Sequence, residues 1–232
     1  MAVLQTEIIK LEANGEEAVG FLARPDDKAT YPGLVLIQEW WGIDPHIRSL
    51  AQRLAIAGFV VLVPDLYHGK IATEPDDAQK LVMMMYQNVE QAIKEITGAL
   101  DYLKGLPNVE PKKLGVMGFC VGGFLTYTIA SRYADLGAVV PWYGAGYNPT
   151  EAEVERVVAP VMAFYGGQDQ SIPMEQVQKI ESMFKAAGKN ITVNVYPDAG
   201  HAFNNPDHGM GNEEATADAW PKAVNFLKEN LK

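Results

Sequence analysis

The stretch Leu114-Gly115-Val116-Met117-Gly118-Phe119-Cys120-Val121-Gly122-Gly123 decides how this chain is read. Its first six residues form a short, mostly apolar run, as expected of a strand buried on both faces of a parallel sheet. A helical pattern follows directly, over 122–133. Between the two lies Gly-x-Cys-x-Gly, the spacing of a nucleophile elbow with cysteine in place of serine. A chain that turns so sharply from strand to helix needs glycines where backbone and helix would collide, and Gly118 and Gly122 are read in that role. Cys120 is thereby presented at a helix N-terminus, where backbone N–H groups and the helix dipole favour a thiolate and an oxyanion. The N–H of Val121 is placed to be one oxyanion-hole donor. The bland alternative is a buried, inert cysteine, since free cysteines are usually buried. The strand before and the helix after shift the balance to a nucleophile. A phosphate loop is disfavoured, because Gly115-Val116-Met117-Gly118 does not complete Gly-x-Gly-x-x-Gly and no P-loop lysine follows.

Outward from the elbow, short apolar runs alternate with helical patterns. Residues 3–11 and 18–23 read as an opening antiparallel pair with Asn14 and Gly15 as turn residues. Apolar runs at 34–37, 59–63, 138–140 and 161–164 read as further buried strands. The more alternating run at 191–196 suits an outer strand. Ile47, Leu50 and Leu54 recur at helical spacing with Gly58 as a stop. Residues 77–103 form one long helix or two. Val177, Ile180 and Phe184 mark another helix, stopped by Gly188. Asp218 is the expected cap of the last, with Trp220, Val224 and Leu227 on its apolar side. This alternation predicts an α/β fold over residues 1–232 as one domain, with helices on both faces of a mostly parallel sheet. Sites in such sheets form at the carboxyl ends of the strands.

Two more candidates lie at such positions. Asp169 follows the run at 161–164 in the loop Tyr165-Gly166-Gly167-Gln168-Asp169. Alone it would be read as turn chemistry. His201 follows the run at 191–196 in Ala199-Gly200-His201-Ala202-Phe203. Alone it would be an even choice between surface loop and site. The order nucleophile, acid, histidine is that of α/β-hydrolases, and each gap can hold one strand and one helix. His46, His68 and His208 keep ordinary readings, since none forms a metal-ligand spacing. No metal and no cofactor is expected.

Composition sets the outer bounds. The chain has 232 residues, 48% hydrophobic and 21% charged, with one cysteine and a formal net charge of −10. That is enough apolar mass for a large core. The acidic balance gives no footprint for nucleic acid and works weakly against anionic substrates. One thiol cannot form an internal disulfide. The start lacks the basic and apolar regions of a secretory signal, and no run of about 18 apolar residues occurs. A cytoplasmic monomer acting on a small molecule is the expectation.

With these motifs in place, the chain resembles the dienelactone hydrolase family, over roughly residues 4 to 228. The resemblance rests on Gln38-Glu39-Trp40-Trp41-Gly42, Gly118-Phe119-Cys120-Val121-Gly122-Gly123, Gly166-Gly167-Gln168-Asp169 and Ala199-Gly200-His201-Ala202-Phe203. It implies a Cys120–His201–Asp169 triad that cleaves small esters or lactones through an acyl-enzyme thioester. It also implies that Glu39 holds the cysteine hydrogen at rest, and that the Trp40 N–H is the second oxyanion donor. A carboxylate beside a thiol disfavours a second negative charge and keeps the sulfur neutral until needed. The best-known members bind a substrate carboxylate with two arginines. Here the position four after the histidine is Asn205, and no arginine lies between Arg53 and Arg132. Lys80 could replace one charge, without the planar fork of arginine. A wider, less anion-selective pocket is therefore expected, in which Trp40, Trp142, Tyr143 and Phe203 are either lining or core. A non-catalytic ligand receptor and a thiol redox sensor are the alternatives on the same fold.

Overall fold

The computed structural model describes residues 3–13 and 15–232, in two compact units, Met1–Gly115 with Lys232, and Val116–Leu231. In the first unit, β1 (Leu4–Ala13) and β2 (Glu16–Pro25) pair antiparallel, with Leu4 opposite Pro25 and Ala13 opposite Glu16. Gly15 closes the hairpin at φ 91°, a conformation glycine adopts without steric cost. The other expected turn residue, Asn14, lies outside the described residues. β4 (Val60–Pro64) runs antiparallel to β2 and parallel to β3 (Gly33–Ile37), giving the order β1-β2-β4-β3. All residues of β3 and β4 are buried, whereas much of β1 alternates between buried and exposed, as an outer strand does.

Helices cover this part of the sheet. α1 (Pro45–Ile56) begins where the Asp44 carboxylate accepts from the Ile47 N–H at 2.9 Å, and ends before Gly58 at φ 96°. The long pattern at 77–103 is two helices, α2 (Pro75–Gln87) and α3 (Val89–Gly105), broken at Asn88. Asn88 leaves helical geometry at φ −124°, ψ 36°, and its side-chain amide donates to the Met84 carbonyl. Gly98 lets α3 approach β1 closely, since a Cβ there would lie 2.5 Å from the Glu12 carbonyl oxygen.

In the second unit the order is β5-β6-β7-β8, formed by β5 (Leu114–Phe119, which begins at the end of the first unit), β6 (Leu136–Trp142), β7 (Val161–Gly166) and β8 (Ile191–Tyr196). β6–β7 and β7–β8 pair parallel. β8 ends the order and has mixed burial, as its alternating sequence predicts. The helices are α4 (Val121–Ala130), α5 (Glu151–Arg156), α6 (Met174–Ala186) and α7 (Glu213–Asn230). The chain is thus an α/β fold with an eight-stranded, mostly parallel sheet.

One expected cap is corrected. Asn212, not Asp218, caps α7: its side chain accepts from the Ala215 N–H at 3.0 Å. Asp218 lies inside the helix, where its carboxylate accepts from the Tyr196 hydroxyl and pairs with Lys222. The first turns of α7 carry little apolar surface, so hydrophobic periodicity starts late and the helix begins before it.

Candidate active site

The elbow forms as its glycines dictate. Cys120 adopts φ 56°, ψ −117°, in the left-handed range that costs a non-glycine residue about 1–3 kcal/mol. Neighbouring backbone holds it there. The Cys120 N–H donates to the Trp142 carbonyl at 3.1 Å, and its own carbonyl accepts from Phe124 N–H at 3.1 Å. A Cβ on Gly118 would lie 2.3 Å from the Gly122 carbonyl oxygen, and one on Gly123 would lie 2.4 Å from that of Trp142. The Gly123 requirement comes from β6, not from the turn itself, and β6 is far from it in sequence. Val121 is the first residue of α4, so its N–H lies outside the helical ladder by geometry.

The Asp169 and His201 loops are stitched together by backbone. Gly167 N–H donates to the Tyr196 carbonyl at 2.7 Å, and Gln168 N–H to that of Ala199 at 2.8 Å. A Cβ on Gly166 would lie 2.4 Å from the carbonyl oxygens of Ala199 and Gly200. The Asp169 side chain is fully buried. Its Oδ1 accepts from the Ser171 and Ile172 N–H groups at 2.7 and 3.2 Å, and its Oδ2 faces His201 Nδ1 at 2.7 Å. Because an ionised carboxylate only accepts, Nδ1 carries the hydrogen. The other ring nitrogen, Nε2, lies 3.2 Å from Cys120 Sγ. Burial alone would push the His201 pKa down. The bond to Asp169, followed by the bond and charge of the Cys120 sulfur, overcomes that and raises it from 6.5 to about 10. An imidazolium beside sulfur is an arrangement that assists thiolate formation.

The residues expected at the pocket separate into core and surface. Trp142, Tyr143 and Phe203 have no exposed surface, and Asn205 has 1%. The three aromatics form the packed layer next to the histidine loop, not a wall open to solvent. Trp142 stacks on Phe164 at 4.2 Å, and Tyr143 meets both Phe203 and His201 edge to face, at 5.4 and 5.3 Å. Asn205 Oδ1 accepts from Asp207 N–H at 3.0 Å, a turn role. The amide faces of Ser171 and Ile172 that fix Asp169 were not singled out in the sequence, although Asp-x-Ser is an ordinary signal for such a turn.

Glu39 and Trp40 belong to the first unit, just past β3. Glu39 is 2% exposed, and its carbonyl accepts from Gly42 N–H at 3.3 Å. Trp40 is partly buried, packed with Leu81 against Trp41, Ala72 and Ala78. Lys80 is on the exposed side of α2, paired with Asp77 at 3.0 Å. It is not among the residues lining a cavity of about 450 Å³ in the same unit, which Leu66, Leu81, Met84 and Met85 help to wall. His68, read as ordinary, bonds Glu95 there at 2.8 Å. Among the described residues no group of three or more histidine, cysteine or acidic side chains could hold a metal ion, and no helix is long and apolar enough to cross a membrane.

Cys120 after β5, Asp169 after β7 and His201 after β8 stand in the chain order of the α/β-hydrolase class. Residues 19–231 match the model of the dienelactone hydrolase family, and the chain belongs to that family. It is 35% identical to Protein usf of Aquifex pyrophilus over 231 residues, covering 97% of this chain and 99% of the relative. It is 30% identical over 244 residues to a Synechocystis protein named "Putative carboxymethylenebutenolidase", covering 99% and 98%. A solved dienelactone hydrolase-like promiscuous phosphotriesterase from metagenomic libraries superposes with a TM-score of 0.90 at 22% identity over 100% of both chains, which speaks to fold alone. Family membership supports hydrolysis of esters or lactones, and so a small-molecule substrate.

Proposed function

We propose that this chain hydrolyses small, uncharged or weakly charged esters and lactones through a thioester on Cys120. The observation that carries the reading is the continuous link Asp169–His201–Cys120, at 2.7 and 3.2 Å, ending on a sulfur held at an elbow. His201, held as an imidazolium by Asp169, pairs with the Cys120 sulfur as a thiolate. The thiolate adds to the substrate carbonyl. The N–H of Val121, with that of Trp40 by family analogy, stabilises the oxyanion, at about 3 kcal/mol per donor. The tetrahedral adduct expels the alcohol, which takes its proton from His201, and leaves an acyl thioester. His201 then draws a proton from water, and the hydroxide equivalent releases the acid and regenerates the thiol.

Glu39 takes the resting hydrogen of Cys120 in this reading and is displaced by substrate. The idle thiol is then protected from alkylation and oxidation. No metal or cofactor is used, and the chain acts as a monomer in the cytoplasm. The absence of an arginine clamp directs the enzyme away from anionic lactones.

Steady-state hydrolysis of p-nitrophenyl acetate and of a dienelactone by wild type and Cys120→Ala tests this. Turnover of the neutral ester that disappears in Cys120→Ala is expected, with the dienelactone a poorer substrate. Turnover of neither would sink the hydrolase reading in favour of a receptor or a redox sensor.

A further inference from the structure

The end of β6 carries a residue whose geometry the reaction as described does not use. Tyr143 has φ 36°, a conformation that side chains rarely adopt, and it has no exposed surface. Strain of this kind persists only where the surroundings over-determine it. Here they do so from three directions. The Tyr143 N–H donates to the Phe164 carbonyl at 2.7 Å, tying it to β7, the strand that runs into the Asp169 loop. The residue before it, Trp142, accepts from Cys120 N–H, and the residue after it, Gly144, lies so close to the elbow that a Cβ there would meet the Gly123 carbonyl carbon at 2.9 Å. The Tyr143 ring meets the His201 imidazole at 5.3 Å and 61°, and Phe119 and Phe203 support it at 6.0 and 5.4 Å.

We infer that Tyr143 is a positioning residue that braces the His201 imidazole so that Nε2 stays directed at Cys120 Sγ. The ring fills the space into which the imidazole would otherwise rotate. Its π system also lies beside the cation that His201 becomes. The left-handed kink is the means of delivery, because it turns the side chain from the strand end toward the histidine loop. One residue therefore joins the three segments that carry nucleophile, acid and base. This inference rests on the triad reading above, but its test does not require turnover.

The test compares wild type with Tyr143→Phe, Tyr143→Leu and Tyr143→Gly, the last of which removes the ring and also relieves the kink. The rate of Cys120 alkylation by iodoacetamide is followed from pH 6 to 9 with each chain carrying Glu39→Ala, which frees the thiol from its resting partner so that His201 sets its rate, and kcat and KM for p-nitrophenyl acetate are measured alongside without that change. Tyr143→Phe, which keeps the ring, should retain more of the wild-type rate than Tyr143→Leu or Tyr143→Gly. Tyr143→Leu and Tyr143→Gly should alkylate roughly tenfold more slowly at pH 7. Their kcat should fall by a similar factor while KM changes little. A folded Leu or Gly variant that keeps the wild-type alkylation profile overturns the inference. Retention by Gly would in particular show that only the backbone conformation matters. Failure of wild type to turn over any ester removes the hydrolysis reading, while the alkylation profiles still decide the role of Tyr143.

Discussion

At the residue scale, the site is governed by one proton. His201 keeps it up to about pH 10 when folded, against 6.5 as an ordinary histidine. A proton held more tightly by the folded chain stabilises folding fully below pH 6.5, and that contribution is lost as the pH rises from there through about 10. The melting temperature of wild type should therefore fall between pH 7 and 10 by more than that of Asp169→Asn, which loses the partner at 2.7 Å. Proton NMR of the His201 ring should show its titration moving down toward 6.5 in the same variant. Turnover by Asp169→Asn should drop by about 10⁴, the scale seen when a triad histidine loses its charged orienter. Glu39→Ala, by contrast, should quicken alkylation of Cys120 in the resting protein, and an unchanged or slower rate would remove the gating role. That Cys120, Asp169 and His201 come together was legible because each follows a strand in a glycine-rich loop. The fate of Trp142, Tyr143 and Phe203 was not, since an aromatic side chain at a strand end suits a pocket and a core equally well until its neighbours are known.

At the element scale, close approach governs the glycines. Gly118→Ala would put a methyl 2.3 Å from the Gly122 carbonyl oxygen and 2.6 Å from Thr126 Oγ1. Both are in the rigid first turns of α4, so the elbow must open. A loss of about 1–3 kcal/mol in urea unfolding is expected, together with loss of esterase activity. Thr150→Ala is the matching control. It breaks the capping box with Glu153 and should cost about 1 kcal/mol, leaving activity unchanged. That box sits at the start of α5, an element the hydrophobic pattern passes over because Val154 is its one buried residue. The capping signal was present in the sequence and the periodicity was absent. The reverse held for 77–103, where periodicity read as one long helix or two and did not place the break at Asn88. Strands were the most legible elements, since β3, β4 and β5 are buried along their whole length and read as unbroken apolar runs.

At the scale of the whole molecule, charge shapes which substrates arrive. A formal net charge of −10 repels anions over a distance that salt shortens. For an anionic ester, kcat/KM should rise by roughly two- to threefold between 10 and 200 mM salt, whereas p-nitrophenyl acetate should show no trend. A falling value for the anionic ester would point to a local basic patch that the composition hides. The α/β class and its chain order were legible because strand, turn and helix chemistry agree along the sequence. The pairing of β2 with β4 was less so, since the second strand of a hairpin gives no sign in its sequence of which further neighbour it will take.

The single thiol at the elbow gives the chain a further property. Cys120 is the only cysteine among 232 residues, so every sulfhydryl counted in a sample is a candidate nucleophile. Intact-mass measurement after one equivalent of alkylating reagent becomes a census of competent molecules, with no correction for bystander sites. For the same reason, the fraction of a stored preparation that has gained one or more oxygens at the Cys120 sulfur, read on its own peptide so that the nine methionines are not counted, should equal the fraction of its activity that has disappeared.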